Sequence, residues 1–280
     1  YANNMISGNT REDGSKCGFG GCYYNRPSDR KDDYNEVSAR IGASTNYDDI
    51  NFFTQISLGF RPPQINEAYR LQKKQNVTDL DSEKLTMFEF GSRYESDYVN
   101  GSISFYKSKK KNSIFRDSQN FIVDNGKTDH KGIELSLNFD VSPNNLLITN
   151  ITYGDHKYDF ETDTSMREKI RIGNKIDTAP KLMANLIWNT NLNNNSSFSI
   201  EIEHMSSYFT DAANLHEYEG HTLYHARYNK KISDDFKLYL RVDNIFDKRY
   251  AERADFNAFG GDRYFPGLPR EFYLGLEYTL

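Results

Sequence analysis

The feature that most constrains this chain is an apolar–polar alternation with a period of two residues, which recurs down to the last residue. Successive side chains of a β-strand point to opposite faces, whereas a helix scatters the same positions around its axis. The alternation is clear at 133–141 and 236–243. At the end of the chain it places Phe272, Leu274, Leu276, Tyr278 and Leu280 on one face, against Glu271, Tyr273, Gly275, Glu277 and Thr279 on the other. The pattern predicts an all-β fold.

The connections between the candidate strands alternate between short and long. Eleven strands are expected to begin near residues 36, 51, 85, 98, 131, 146, 181, 196, 221, 236 and 270. Tight polar turns such as Asn46–Asp49 and Ser233–Asp235 alternate with long connections. The long connections are expected at roughly residues 61–84, 116–129, 160–180, 210–220 and 252–269.

Strict alternation of this kind places all tight turns at one end of an antiparallel up-and-down meander. Outer-membrane β-barrels have this asymmetry, with short periplasmic turns and longer extracellular loops, whereas a Greek-key sandwich does not keep it. Residues 1–34 are rich in Gly, Asn and Asp without periodicity, and we interpret them as a long extracellular loop. Residues 35–280 are interpreted as the strands of a transmembrane β-barrel with their turns and loops.

The composition agrees with a barrel wide enough to hold charge inside. Charged residues such as Lys237, Arg241 and Glu134 lie on the polar side of the alternation and are expected to face the lumen. The 20 Tyr and 19 Phe residues argue against disorder and suit aromatic girdles. A formal net charge of −5 disfavours a nucleic-acid partner. A soluble antiparallel sheet with one wet face explains the alternation equally well.

Short motifs give little support for catalysis or metal binding. Cys17 and Cys22, separated by four residues of which three are Gly, match no zinc-site spacing, and this stretch favours a local disulfide over two free thiols. His221 and His225 have the spacing of a zinc-protease motif but lack its Glu and lie in a strand pattern. We expect no enzyme, cofactor or metal site. Because scattered Ser, His and Asp residues can converge in space, an outer-membrane lipase or protease is disfavoured rather than excluded.

A basic run, Lys107–Lys111, lies in the part of a strand that approaches the long-loop end. A solvated strand end explains it simply. If the strand crosses a membrane, the lysines lie near the outer leaflet, where they can bind anionic lipid phosphates such as those of lipopolysaccharide.

Four segments resemble TonB-dependent outer-membrane receptors. Asn244–Tyr250, Pro266–Arg270 and Glu271–Leu280 are similar to the last two strands of that family, and Gly59–Glu67 is similar to a mid-barrel motif. The resemblance implies a 22-stranded barrel plugged by an N-terminal domain, of which this chain is the C-terminal half. It also implies a protein of the Gram-negative outer membrane that contacts TonB through the plug, which the sequence given does not include.

The resemblance implies energised import of a scarce nutrient, with a ferric siderophore as the first expectation. Cobalamin, another metal chelate and an oligosaccharide remain alternatives for the cargo. A passive porin and a soluble β-sheet carbohydrate-binding module remain alternatives for the whole function.

Ligand is expected to meet aromatic, Arg or His side chains on the long loops, because aromatic faces supply contact area and Arg pairs with anionic chelators. The candidate ligand-binding residues are Tyr69, Arg70, His216, Tyr218, Arg253, Phe256, Phe259, Arg263 and Tyr264.

Overall fold

The computed structural model describes residues 24–25, 31–69, 71–72, 80–117, 121–164 and 168–279, and strands dominate them. Five short strands and a helix come from the connections or the early part of the chain: β1 (Tyr24–Asn25), α1 (Ile65–Tyr69), β4 (Leu71–Gln72), β9 (Thr162–Thr164), β10 (Glu168–Ile170) and β13 (Tyr208–Phe209). Three more short strands are β14 (Glu217–Tyr218), β17 (Ala251–Asn257) and β18 (Gly261–Pro266).

The remaining strands form one sheet. They are β2 (Ala39–Tyr47), β3 (Ile50–Arg61), β5 (Glu83–Glu95), β6 (Val99–Arg116), β7 (Ile122–Ser142), β8 (Asn145–Tyr158), β11 (Leu182–Asn193), β12 (Ser196–Met205), β15 (His221–Lys231), β16 (Phe236–Asp243) and β19 (Glu271–Tyr278).

The eleven strands pair antiparallel in chain order, with β2 and β19 at the two edges of the sheet. Tight turns connect β2 to β3, β5 to β6, β7 to β8, β11 to β12 and β15 to β16, all at one end. At the first of these turns Asp48 adopts a positive φ of 47°, a conformation that Asp tolerates better than most residues. The up-and-down meander predicted from the sequence is confirmed.

One face of the sheet is apolar, and we call it the outward face. Cross-strand partners lie on the same face of a sheet, so the register shows which side chains share it. One row of partners crosses eight strands without a charged residue: Val99, Phe139, Leu147, Trp188, Ile200, Ala226, Val242 and Phe272. Within β19, Phe272, Leu274 and Leu276 are each at least 65% exposed, as expected for side chains that face lipid.

The opposite face, the inward face, is polar. A neighbouring row of partners reads Asn46, Asn51, Arg93, Ser102, Ser136, Asn150, Asn185 and Glu203. Near the edge of the sheet, Lys237 Nζ lies 3.0 Å from Glu277 Oε1, and Arg241 lies 2.7 Å from Asp243. The inward orientation predicted for charged residues therefore matches the register.

The prediction of a long loop over 116–129 was wrong, as was the strand start near 131. β6 continues to Arg116 and β7 begins at Ile122, so the two strands are 18 and 21 residues long. A tilted strand needs only about 9–11 residues to cross the membrane. Beyond the bilayer both faces of a strand meet water, so the apolar alternation stops while backbone pairing continues. The other ten strands begin within about three residues of the predicted positions.

Buried clusters lie at the long-connection end of the sheet. One joins Tyr208, Tyr218, Ala251 and Ala254, and a second joins Tyr158, Ile170 and Ala212. A single-layer sheet has no second layer to cover it, so its membrane part buries few side chains in the chain itself. The packed core of the described residues therefore lies where the connections fold over the strand ends.

Candidate ligand-binding site

The connection between β16 and β19 folds into a hairpin of its own. β17 and β18 pair antiparallel from Ala251–Pro266 to Asn257–Gly261. Asn257 Oδ1 accepts hydrogen bonds from the Phe259 and Gly260 amides, and Gly261 takes a φ of 73°, which favours glycine. These turn residues explain why a segment predicted as a loop forms a hairpin at the extracellular end.

Two buried tyrosines attach this hairpin to the connection between β12 and β15. The Tyr208 hydroxyl accepts a hydrogen bond from the Ala254 amide at 2.8 Å and lies 3.2 Å from the Ala254 carbonyl. The Tyr218 hydroxyl contacts the amide and carbonyl of Ala251 at 3.0 and 3.2 Å. Burial raises the pKa of Tyr208, so its hydroxyl keeps the proton. Each tyrosine hydroxyl therefore hydrogen-bonds a buried backbone amide and carbonyl of β17, on the edge of that strand that no described strand pairs with.

A polar cavity of about 190 Å³, which we call the loop-end pocket, opens beside the hairpin. Met205, on the inward face, packs against the tyrosine cluster beneath it, so the pocket lies above the lumen side of the sheet. Its lining comes from β6, from the connections after β8 and β12, and from the hairpin: Phe115, Arg116, Asp117, Asp177, Thr178, Thr210, Asp211, Ala212, Arg253, Asp255, Phe256, Asn257 and Arg263.

Asp255 organises the charges of the pocket. Its side chain is 9% exposed and pairs with Arg253 at 2.9 Å and with Arg263 at 2.6 Å. Both arginines remain at least half exposed. One buried carboxylate therefore holds two guanidinium groups at the rim while leaving donors of each available to a ligand.

An aromatic stack forms one side of the site. The His216 ring lies parallel to the Phe256 ring, with centroids 3.8 Å apart and an interplanar angle of 16°. His216 Nδ1 is also 3.2 Å from Asp262. Asp211 fixes the backbone under His216, because its Oδ1 accepts hydrogen bonds from the Leu215 and His216 amides. The stack presents a flat surface next to the two arginines.

The predicted site residues fall into three groups. Arg253, Phe256 and Arg263 line the pocket, and His216 adjoins it. Tyr218 lies in the cluster beneath the hairpin, with Tyr264 near it at a ring separation of 6.3 Å. Phe259 is 79% exposed at the hairpin tip and does not line the pocket.

Three further predictions concern residues at or beyond the limits of the described chain. Tyr69 ends α1, on a different connection from the pocket. Arg70 lies outside the described residues, as do Cys17 and Cys22, so the disulfide stays a prediction.

Sequence reasoning missed the acidic half of the site. Asp117, Asp177, Asp211 and Asp255 all line the pocket, yet they come from four separate stretches of the chain. The search for aromatic, Arg and His residues could not find them. The sequence held one signal for an acidic residue at the site. Arg253 and Asp255 are two positions apart, so in a strand they share a face and can form an ion pair.

The motif Gly59–Glu67 positions the start of another connection. Both terminal nitrogens of Arg61 donate to the Glu67 carboxylate at 3.0 Å, and Arg61 Nε donates to Glu83. Lys110 lies 2.8 Å from Glu83, and the Ile114 amide donates to it at 2.9 Å. Burial by itself raises the pKa of Glu83, but the hydrogen bonds from Arg61, Ile114 and Lys110 outweigh it and lower the pKa below its ordinary value. The motif thus clamps α1 to the ends of β3, β5 and β6.

The two strand histidines are placed as ordinary members of β15. His221 Nδ1 is hydrogen-bonded to the Tyr218 hydroxyl at 2.9 Å, and His225 Nδ1 to Asp243 at 3.1 Å. Within the described part of the chain, no group of three or more His, Cys, Asp or Glu residues is arranged to hold a metal ion. The described residues also contain no helix that is long and apolar enough to cross a membrane.

An apolar outward face, a polar inward face and a meander with all long connections at one end define an outer-membrane β-barrel wall. The family model described as "TonB dependent receptor-like, beta-barrel" matches residues 8–245. The chain therefore belongs to the TonB-dependent receptor β-barrel family and is located in the outer membrane.

Solved structures share this fold. The ferric-catecholate import receptor Fiu from Escherichia coli K12, closed form, aligns with a TM-score of 0.69 and 18% identity, over 85% of this chain and 34% of that one. The siderophore receptor PiuA from Acinetobacter baumannii aligns with a TM-score of 0.72 and 17% identity, over 85% and 35%. The ferric citrate transporter FecA, unliganded, aligns with a TM-score of 0.72 and 22% identity, over 88% and 38%.

This chain therefore spans little more than a third of the length of these structures. Among curated protein sequences, none matches it.

Proposed function

We propose that this chain is the C-terminal part of a receptor that imports a metal chelate across the outer membrane, with a ferric siderophore as the cargo. TonB would supply the energy by acting on a plug domain N-terminal to the barrel. Membership of the receptor family supports the proposal, as do structural relatives named as siderophore and ferric citrate receptors. The expectation that the chain is not an enzyme agrees with this function and stays a prediction.

The loop-end pocket is the observation that carries the proposal. It combines a flat ring pair, His216 on Phe256, with two rim arginines held by one buried aspartate. Aromatic faces bind the planar groups of chelators at low entropic cost, and guanidinium groups pair with their anionic oxygens. The pocket lining holds four aspartates against three arginines, a formal net charge of −1. We therefore expect the aromatic surface and the two rim arginines to contribute more to affinity than long-range attraction does.

The open sheet supports the view that further strands complete the wall. β2 and β19 form edges without a partner among the described strands. Hydrocarbon does not tolerate unpaired backbone edges, so in the membrane both must pair. A barrel of 22 strands, twice the eleven seen here, would pair both edges with the strands of its other half.

Binding by the complete receptor tests the pocket. Phe256→Ala removes the ring under His216 and should weaken binding of the transported ferric siderophore about tenfold, equivalent to about 1.4 kcal/mol. Phe259→Ala is the matched control, because that ring is exposed at the tip of the same hairpin. Equal affinity of the Phe256→Ala variant and the wild type, with both folded, would rule out the pocket as the ligand site.

Uptake of labelled ferric siderophores by a strain that lacks the receptor gene, with and without the gene restored, tests the transport. Uptake that depends on the receptor and stops when TonB is deleted is the expected result. Uptake that continues at the same rate without TonB would instead identify the passive porin.

A further inference from the structure

Two histidines meet on the inward face of β7 and β8, close to the long-connection end of the sheet. His130 and His156 are direct cross-strand partners, although they are 26 positions apart in the chain. Lys131, next to His130, faces outward and is charged, so this level of the sheet lies outside the hydrocarbon. The connection after β8 lies beside the pair, because the Ile176 amide donates to the His156 carbonyl at 3.0 Å.

The two imidazole rings turn the same nitrogen toward each other. Nδ1 of His130 lies 3.0 Å from Nδ1 of His156, and the ring centroids are 5.1 Å apart. A ring nitrogen carries either a proton or a lone pair. One of the two Nδ1 atoms must therefore donate a proton to the other, unless both lone pairs ligate the same cation.

The opposite nitrogen of each ring has a place for its proton. Nε2 of His130 lies 2.8 Å from the Thr128 hydroxyl, which belongs to a buried residue. Nε2 of His156 borders the space above Gly154, where a Cβ would overlap it and lie 3.2 Å from the Tyr106 hydroxyl. With both protons on Nε2, the two Nδ1 lone pairs converge on one point. Histidines that ligate a metal have this arrangement, because their other ring nitrogen donates to a neighbouring group.

The protonation of the pair agrees with such a role. Burial, followed by the charge of His156, lowers the pKa of His130 to about 4. Burial also lowers the pKa of His156. Both rings are therefore neutral at pH 7, and neutral imidazole is the form that ligates a metal.

The spacing of the two nitrogens selects a coordination geometry. Metal–imidazole bonds are about 2.0–2.1 Å long, so two nitrogens 3.0 Å apart make an angle of about 90–97° at the metal. This is close to the cis angle of a square-planar or octahedral site, whereas tetrahedral zinc needs a wider angle. Cu²⁺ and Ni²⁺ favour tetragonal sites with nitrogen ligands, and Cu²⁺ binds most tightly of the divalent ions in this series.

We propose that His130 and His156 bind one divalent transition-metal ion, Cu²⁺ or Ni²⁺, through their Nδ1 atoms, with water in the remaining positions. Both ligands stand on paired strands, which hold a site more precisely than loops do. The bound ion would link β7 to β8 beside the connection that follows β8. The inference rests on the contacts of the two histidines and not on which cargo the receptor imports.

Electron paramagnetic resonance tests the proposal with the complete receptor in detergent, purified without a histidine tag. One equivalent of Cu²⁺ should give the spectrum of a tetragonal site with splitting from two imidazole nitrogens. The spectrum of aqueous Cu²⁺, or of a site with oxygen ligands alone, would overturn the proposal. The same two-nitrogen spectrum from a folded H130N/H156N variant would also overturn it.

Single variants measure the share of each ligand by calorimetric titration with Cu²⁺. His130→Asn and His156→Asn should each weaken binding at least tenfold. His204→Asn is the matched control, because His204 Nδ1 also contacts a threonine hydroxyl, that of Thr222, at 2.9 Å, while its cross-strand partners are Ala184 and Thr222. This control should bind as the wild type does. Heat-modifiable migration on a gel reports that each variant is folded.

Undiminished affinity of a folded His156→Asn variant, or an equal loss in His204→Asn, would contradict the assignment of the ligands. A tenfold excess of Zn²⁺ should leave the Cu²⁺ spectrum unchanged, and displacement by Zn²⁺ would overturn the square-planar or octahedral geometry. Because every arm measures binding of the metal ion alone, these results stand apart from the test of siderophore transport.

Discussion

The membrane part of the sheet and the loop-end pocket above it differ in what holds them together. In the sheet, each side chain meets neighbours on the adjoining strands, and one apolar row crosses eight strands without interruption. At the pocket, residues from four connections or strand ends meet through buried hydroxyls and ion pairs. The sheet repeats a local rule, whereas the pocket depends on a few contacts between distant residues.

This difference predicts how the two regions respond to substitution. A change in the sheet should have an effect that depends on its face and its depth in the bilayer. A change at the loop end should have an effect that depends on whether the residue is one of the few contacts that join the connections. Substitutions in the two regions separate these two expectations.

The largest effect is expected from Leu137→Arg. Leu137 is at the centre of the outward apolar run of β7, and a charged side chain at mid-bilayer costs about 2–4 kcal/mol in a membrane barrel. The free energy of unfolding of the complete receptor in lipid vesicles, from guanidinium titration, measures the cost. Ser136→Arg, on the inward face of the same strand, is the control and should cost much less. Similar losses at both positions would contradict the assignment of the two faces.

Glu83→Gln tests the clamp at the base of the first long connection. Hydrogen bonds to a charged group contribute about 1.5–3 kcal/mol, and the amide cannot replace the ion pairs to Arg61 and Lys110. The loss should appear as lower stability at pH 7. Glu95→Gln, exposed at the tight-turn end of the same strand, serves as the control.

The same carboxylate predicts a pH dependence. The pKa of Glu83 is lower in the folded protein than its ordinary value of 4.5, so its ionisation stabilises the fold above pH 4.5. That contribution is lost as the pH falls below 4.5 through the folded pKa. The stability difference between wild type and Glu83→Gln should therefore shrink on acidification. A difference that stays constant down to pH 2 would show that the charge of Glu83 does not hold the clamp.

Tyr208→Phe should have the smallest and most local effect. It leaves the buried backbone of Ala254 without its hydroxyl partner, at a cost of about 1–3 kcal/mol to the anchoring of the β17–β18 hairpin. Hydrogen exchange should become faster at the Ala254 amide and its neighbours while the sheet stays protected. Tyr264→Phe, on an exposed ring of the same hairpin, is the matched control. Faster exchange throughout the eleven strands would mean that the hairpin and the sheet unfold as one unit.

The sheet could be predicted because its information is local. Each strand of the membrane part carries its own alternation, and the turns between strands carry their own polar residues, so order and facing follow from the chain alone. The resemblance in Asn244–Tyr250, Pro266–Arg270 and Gly59–Glu67 then named the family that the match over residues 8–245 confirms. Within the eleven-stranded sheet, the prediction failed only where β6 and β7 leave the bilayer, because water on both faces removes the need for alternation.

What the sequence determined by itself was the wall: an all-β meander with one lipid face, one lumen face and its long connections at one end. The tertiary structure decided the rest. It joined Asp255 to Arg253 and Arg263, set His216 against Phe256, and placed Tyr208 and Tyr218 beneath the hairpin. It also brought lysines of β6, β7 and β8 together on the outward face. Period and turn chemistry act between neighbours in sequence, whereas a pocket or a charge cluster arises only when pairing brings remote residues within a few ångströms.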